Sequence, residues 1–185
     1  LVALASVKWF PSEYFVGAGA IIGTIIGLAS ATTISNFMSG ASVLISRVIK
    51  IGDYVRIDDV EGVVVDISVN YTKIKRFDGS TVYVSNKEIS SKNVLNFRVE
   101  KDGEEFYAYP IAFSLDKTIP VRDVKDAIEK IKREIGNEAK LELYVVEVTR
   151  LEVKYIVSIR VDDAEKILKL RPIILGEIAE KFGGA

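Results

Sequence analysis

The sequence predicts a membrane protein in which one glycine-rich transmembrane helix precedes a small all-β domain and a C-terminal α+β domain. No charged residue lies between Glu13 and Arg47, whereas charged residues are dense after Lys50. The uncharged stretch is followed by short β-branched segments, and then by longer segments whose apolar spacing alternates between the strand and helix patterns. These observations, with a length of 185 residues, favour a membrane helix attached to two small domains outside the lipid.

The first ten residues, LVALASVKWF, are apolar but lack the basic leader and the cleavage site of a signal peptide. We therefore interpret residues 1–14 as the end of a preceding transmembrane helix and its loop. On this interpretation the chain is a piece of a longer, multi-pass membrane protein.

The transmembrane helix is predicted from Phe15–Ile34, a stretch of 20 residues without a charge. At 1.5 Å per residue it reaches about 30 Å, enough to cross the hydrocarbon core of a membrane. The alternative, a buried helix of a large soluble domain, is disfavoured because the rest of the chain is too small to bury it.

Three glycines at intervals of four, Gly19, Gly23 and Gly27, share one face of this helix. Small residues let helices approach closely in lipid, so the glycine stripe predicts tight packing against another helix. The spacing allows either a dimer or a closed ring of copies. In a ring, the neighbouring stripe that contains Ile21 and Thr24 would face the axis, together with Leu28.

A kink is predicted near residues 32–36, where ATTISN combines β-branched residues with side chains that cap helix starts. We assign residues 15–50 to this kinked helix, with an amphipathic second half up to about Ile49. Arg47 and Lys50 at its end are interpreted as anchors at the membrane interface. The residues assigned to the kink are Thr32, Ser35 and Asn36.

The remainder divides into a middle β domain, residues 51–101, and a C-terminal α/β domain, residues 102–185. Short strands with glycine turns predict a small barrel or sandwich for the first. The second follows the strand–helix–strand–strand–helix order of a ferredoxin-like α+β fold without its last strand, so we expect it to be truncated. The predicted strands are Asp53–Asp58, Gly62–Ser68, Tyr71–Phe77, Thr81–Ser85, Glu105–Leu115, Lys140–Val148 and Glu152–Asp162, and the predicted helices are Val121–Ile135 and Ala164–Lys181.

The composition removes most catalytic designs. Cysteine and histidine are both absent, which excludes thiolate chemistry, the usual general base and the commonest transition-metal ligand. Lysine and arginine total 25 against 26 aspartates and glutamates, so overall charge does not indicate a nucleic-acid partner. We assign no catalytic residue, metal site or cofactor, and do not expect an enzyme.

One long run, GLASATTISNFMSGASVLISRVIKIGDYVRIDDVEGVVVDISVNYTKIKRFDGSTVYVSNKEI, resembles the signature region of the small-conductance mechanosensitive channel family. The resemblance covers roughly Gly17 to Glu100, and the later part agrees only in its order of elements. Beyond the glycine-rich helix, the motifs that carry it are Ser35-Asn36, Gly40, Gly52-Asp53-Tyr54-Val55, Glu61-Gly62-Val63-Val64, Asp78-Gly79 and Asn86-Lys87-Glu88-Ile89, followed by Asn93, Asn96 and Phe97.

The resemblance implies a homoheptamer in the plasma membrane. Each copy would contribute one kinked pore helix, a middle Sm-like β barrel and an α/β domain, with both soluble domains on the cytoplasmic side. The channel would open under membrane tension on hypo-osmotic shock and release ions and small osmolytes with weak selectivity. Its partners would be other copies, membrane lipids and the permeating solutes, with no nucleic acid.

Two positions depart from the family pattern. The family pore is closed by two rings of leucine, of which the lower maps to Leu28 and the upper to Thr24. A hydroxyl ring is easier to wet, so a gate that closes by dewetting would depend mainly on Leu28, with help from Ile21. The family's kink glycine is replaced by Thr32. An alternative function is a membrane-anchored homo-oligomeric module that binds RNA or protein and has no channel activity.

Overall fold

A single long helix leads into two antiparallel sheets in the computed structural model, which describes residues 12–183. Helix α1 spans Ser12–Ser46. The predicted end of an earlier transmembrane helix falls almost entirely on residues 1–11, outside the described residues. Within residues 12–183, one helix is long and apolar enough to cross a membrane, and its span is Val16–Ser46.

The predicted break in this helix is not confirmed, because residues 32–36 lie inside the continuous α1. The segment ATTISN contains neither proline nor glycine. Threonine, serine and asparagine lower helix propensity by only about 0.5 kcal/mol each, whereas sharp kinks usually need proline, glycine or a bulge. The helix therefore continues to Ser46, where Arg47 ends it with a φ of 51°.

The first sheet has five strands in the order β4-β3-β2-β1-β5. It is an open sheet, so the predicted closed barrel is not observed. A short helix, α2 (Asn86–Ser91), separates β4 from β5 along the chain, and β5 is only three residues long. The five strands are β1 (Tyr54–Ile57), β2 (Val60–Ile67), β3 (Tyr71–Lys75), β4 (Thr81–Ser85) and β5 (Val94–Asn96).

The second sheet has four strands in the order β6-β7-β9-β8 and carries two helices. The predicted order of strand, helix, strand, strand and helix is observed from β7 onward. A complete ferredoxin-like fold is not observed, because the edge beside β7 is occupied by β6, which precedes the unit in the chain. The elements are β6 (Arg98–Lys101), β7 (Glu104–Asp116), α3 (Val121–Ile135), β8 (Lys140–Val148), β9 (Glu152–Val161) and α4 (Glu165–Phe182).

The two sheets meet at a common hydrophobic cluster. The large apolar cluster beneath α3 and α4 also includes Tyr54, Val63 and Phe97 from the first sheet and its exit. Tyr54, Phe97 and Tyr109 pack with ring centroids 5.0–5.6 Å apart. A second cluster joins the end of α1, through Val43 among others, to the inside of the first sheet. The chain therefore forms a connected body from the end of α1 to α4.

Candidate functional site

The N-terminal half of α1, called here its upper part, exposes an almost wholly apolar surface. Within its membrane-length window no residue is buried, and Leu28 is 74% exposed. Burying such side chains is worth about 1.5–3 kcal/mol each, so water is not the natural surroundings of this helix. Its surface is suited to lipid and to other helices.

The glycine stripe lies open along this helix. A Cβ atom added at Gly19, Gly23 or Gly27 would meet nothing within 4 Å. The described residues of this chain therefore do not occupy the stripe, and its predicted packing partner is not among them. A second helix could approach to backbone contact along this face.

The three residues assigned to the gate form a neighbouring stripe, since Ile21, Thr24 and Leu28 lie three and four residues apart in a continuous helix. All three belong to the exposed surface. The Thr24 hydroxyl donates a hydrogen bond to the Ala20 carbonyl at 2.8 Å. The hydroxyl hydrogen of Thr24 is therefore bonded within the helix, and water can only donate to the hydroxyl oxygen. Thr24 is thus less polar than a threonine whose hydroxyl is free.

The C-terminal part of α1, called here its lower part, docks on the first sheet through small residues. Gly40 is buried, and a Cβ there would lie 1.7 Å from the Val69 carbonyl oxygen. One turn further on, Val43 is 5% exposed. The docked face lies apart from Phe37 and Ile45, apolar residues of the predicted amphipathic segment that stay on the outside, at 56% and 80% exposure. Close backbone approach at the glycine decides which face is buried.

The three residues assigned to the kink lie on the N-terminal side of this docked face of α1. Ser35 and Asn36 are half-buried, whereas Thr32 is exposed. They form part of one continuous helix, and a role for them in gating stays a prediction.

The surface beneath Gly40 is built around Asn86, which is fully buried. Its side-chain amide donates to the carbonyls of Ser68 and Val69 at 2.7 and 3.0 Å, and its oxygen accepts from the Thr72 hydroxyl at 2.8 Å. A buried amide with these partners fixes the turn that Gly40 contacts. Asn86 stands in the signature run, but sequence analysis assigned it no role.

The two basic residues assigned to the membrane interface differ in their surroundings. Arg47 is exposed and ends α1 in the left-handed region. The Lys50 ammonium lies 3.7 Å from the Glu105 carboxylate, with both side chains about half exposed. An exposed pair of this kind contributes less than about 1 kcal/mol. It does, however, direct Lys50 toward the second sheet.

A buried carboxylate, Asp53, attaches the linker after α1 to both sheets. It accepts the Lys50 backbone N–H at 2.8 Å and the Asn96 amide at 2.7 Å, and it lies 3.3 Å from the Arg98 guanidinium. Asn96 also donates to the Val48 carbonyl at 3.0 Å. Asp53 is 1% exposed, and a buried charge persists only when it is paired and hydrogen-bonded. This cluster was also missed, although Gly52-Asp53-Tyr54-Val55 is part of the signature run.

The lower part of α1 and the first sheet are similar to known proteins. Residues 32–99 match the family described as "Mechanosensitive ion channel, beta-domain". The curated relatives that this chain resembles include MscS family proteins. The resemblance inferred from the signature run is therefore confirmed.

Individual relatives agree with this assignment. An uncharacterized MscS family protein of Archaeoglobus fulgidus is 35% identical over 113 residues, which is 61% of this chain and 40% of that protein. The small-conductance mechanosensitive channel MscMJ of Methanocaldococcus jannaschii is 28% identical over 137 residues, or 74% of this chain and 38% of that protein. The chain thus spans about two fifths of the length of the curated relatives it matches.

Among solved structures, the closed state of Helicobacter pylori MscS superposes with a TM-score of 0.59 at 14% identity. The match covers 97% of this chain and 70% of that one. At such low identity the likeness concerns the fold. It shows that a long helix followed by these β-containing domains is the MscS arrangement.

Proposed function

We propose that this chain is the pore-forming part of a mechanosensitive channel that opens under membrane tension and releases ions and small osmolytes after hypo-osmotic shock. The observation that carries the proposal is the upper half of α1, which is long enough to span a membrane and has no buried residue in its apolar window. Such a surface needs lipid and further helices around it. The similarity of residues 32–99 to the mechanosensitive channel family supports a channel as the product of that assembly.

The ring is proposed to be a homoheptamer in the plasma membrane, with the two sheets of each copy on the cytoplasmic side and with earlier spans elsewhere in the protein. The open glycine stripe of one α1 would accept the bulkier face of the next copy, a heterologous contact that closes into a ring. The stripe of Ile21, Thr24 and Leu28 would then face the axis. Arg47 would lie at the lipid headgroups, close to where α1 ends.

The gate is proposed to be a dry constriction at Leu28. A narrow ring of leucine side chains makes water unstable in the pore, so ions cannot pass even without full steric closure. Once tension widens the ring, water fills the constriction and conduction begins. With no charged residue along this stripe, selectivity among small solutes would be weak.

Current recording from the full-length protein, purified and placed in liposome patches, tests the proposal. Graded suction should produce step-like currents above a threshold, and native mass measurement should find seven copies. Absence of current at suction up to patch rupture, together with a dimer by mass, would refute the channel and favour an anchored binding module.

A further inference from the structure

A second carboxylate cluster joins the two sheets. The carboxylate of Glu61 accepts hydrogen bonds from the hydroxyls of Tyr54 at 3.0 Å and Tyr109 at 2.7 Å, and from the guanidinium of Arg171 at 3.3 Å. Its other oxygen accepts from Arg56. The Glu61 side chain is only 15% exposed, so these four donors replace most of its contact with water.

The four donors come from two different parts of the fold. Tyr54 and Arg56 belong to β1 of the first sheet, next to Glu61 on β2. Tyr109 belongs to β7 of the second sheet, and Arg171 belongs to α4. One carboxylate of the first sheet therefore binds two elements of the C-terminal unit.

The Arg171 guanidinium has two further contacts, one of which crosses the same boundary. It lies 5.6 Å from the ring centroid of Phe77, at the tip of the β3–β4 turn, and 5.5 Å from the ring of Tyr109. An arginine over an aromatic ring is attracted by the negative face of the ring, and more strongly when the pair is shielded from water. Arg171 is therefore held by one residue of its own unit and by two residues of the first sheet.

The cluster closes over the shared aromatic core. Tyr54 and Tyr109 donate to Glu61 through their hydroxyls, while their rings pack edge-on at 5.3 Å. Separating the sheets would break both the polar and the apolar contacts at once. It would also deprive the Glu61 carboxylate of the hydrogen bonds from Tyr109 and Arg171, and losing a hydrogen bond to a charged group costs more than losing an ordinary one.

We propose that Glu61 and Arg171 form a latch that holds the first sheet and the C-terminal unit as one rigid body. Because Asp53 attaches the end of α1 to the same body, movement of the C-terminal unit reaches α1 without loss at a hinge between the sheets. The latch goes beyond the channel proposal and does not depend on it, since it concerns contacts within one copy.

The test measures the distance between the two sheets in the full-length protein in detergent. The chain contains no cysteine, so spin labels at Thr81→Cys and Leu151→Cys report on one position in each unit. Labelled copies are diluted with unlabelled protein, which limits the signal to distances within a copy. Glu61→Gln and Arg171→Gln remove the latch from either side.

Both variants should broaden the distance distribution. Amide exchange in β1 and β7 should rise roughly tenfold, as expected for a lost charged hydrogen bond worth about 1.4 kcal/mol or more. The control is Glu165→Gln, which removes another ion pair across the boundary, Lys75–Glu165 at 3.4 Å and about half exposed. This variant should match the parent, because exposed pairs contribute little.

Distances and exchange equal to the parent in both latch variants overturn the proposal. It is also overturned if Glu61→Gln speeds exchange in β1 while Arg171→Gln changes nothing, because the carboxylate then stabilises only its own sheet. An equal effect of Glu165→Gln would show a general loosening of the boundary and would likewise contradict a specific latch.

Discussion

At Gly40, the absence of a side chain decides how closely α1 approaches the first sheet. Any Cβ there would overlap the Val69 carbonyl, which cannot move freely because its oxygen and that of Ser68 both accept from Asn86. The contact is therefore set by backbone on one side and by a fixed turn on the other. Alanine is the smallest residue that would disturb it.

Gly40→Ala should lower the free energy of unfolding by about 1–3 kcal/mol, the usual cost of overpacking. The matched control is Gly176→Ala in α4, where an added Cβ meets nothing within 4 Å. That change should stabilise the protein by up to about 1 kcal/mol through helix propensity. Thermal unfolding of the full-length protein measures both, and a Gly40→Ala variant as stable as Gly176→Ala would contradict the close contact.

Glu61 should give the protein a defined acid sensitivity. Burial alone would raise the pKa of this carboxyl, but hydrogen bonds from Tyr109, Arg56 and Tyr54 outweigh burial and hold the pKa below its usual value of 4.5. A pKa lowered in the folded state stabilises the protein above the unfolded-state value, and this contribution disappears as the pH falls through the folded value.

The stability difference between the parent and Glu61→Gln should therefore be constant from neutral pH down to about pH 5 and should shrink below it. Thermal unfolding at a series of pH values measures this difference. A stability difference that increases at acidic pH would mean that the ionised carboxylate does not stabilise the folded chain.

At the scale of elements, α1 combines two kinds of surface in one helix. Its upper part is apolar and open, and its lower part is anchored through Gly40 and Val43. Forces on the upper part are therefore transmitted through a continuous helix to the first sheet. The glycine stripe would allow neighbouring upper parts to slide past each other while the lower parts stay docked.

Gly23→Leu and Gly27→Leu should disrupt assembly or block opening, because a leucine side chain would force neighbouring helices apart. Ile22→Leu, which keeps volume on another face of the same turn, is the control and should behave like the parent. Native mass measurement and patch recording report assembly and opening. Normal assemblies with unaltered thresholds in both glycine variants would exclude close helix contact on this face.

Elements with a clear apolar pattern could be predicted from the sequence, whereas α2, β5 and β6 were not. Val121–Ile135 and Lys140–Val148 have the predicted bounds, because apolar spacing over nine or more residues specifies one face of a helix or strand. Helix α2 has six residues, too few for a period to show. Strand β6 carried a signal that was overlooked: Asp102-Gly103 is a hairpin turn with both φ angles positive.

The candidate site was only partly predictable for a related reason. The apolar span and its glycines are local features of the sequence, and the structure leaves them open as an assembling helix requires. The Asp53 and Glu61 clusters bring together residues 43 to 110 positions apart, and no local pattern marks such partners. The face of α1 that docks on the first sheet was not predicted. It is buried because Gly40 has no side chain, which allows close backbone contact, and apolar spacing does not mark such a position.

At the scale of the whole molecule, the two sheets and their helices form a lower body from which the apolar part of α1 projects. Three features connect α1 to α4: the common hydrophobic cluster, the Asp53 cluster and the proposed Glu61 latch. Each copy in a ring would therefore move as one unit. The central claim is that α1 lines the pore and that its constriction is closed by dewetting at Leu28.

The opening threshold of Leu28→Ser tests this claim most directly, measured as the suction needed to open channels of the full-length protein in membrane patches. A hydroxyl at the constriction lets water persist, so the variant should open at lower suction than the parent or leak at rest. Thr24→Leu, which adds a second dry ring, should raise the threshold, and Ile25→Ser on another face should change it far less. If Leu28→Ser opens at the parent's suction or higher and shows no leak, Leu28 is not the gate.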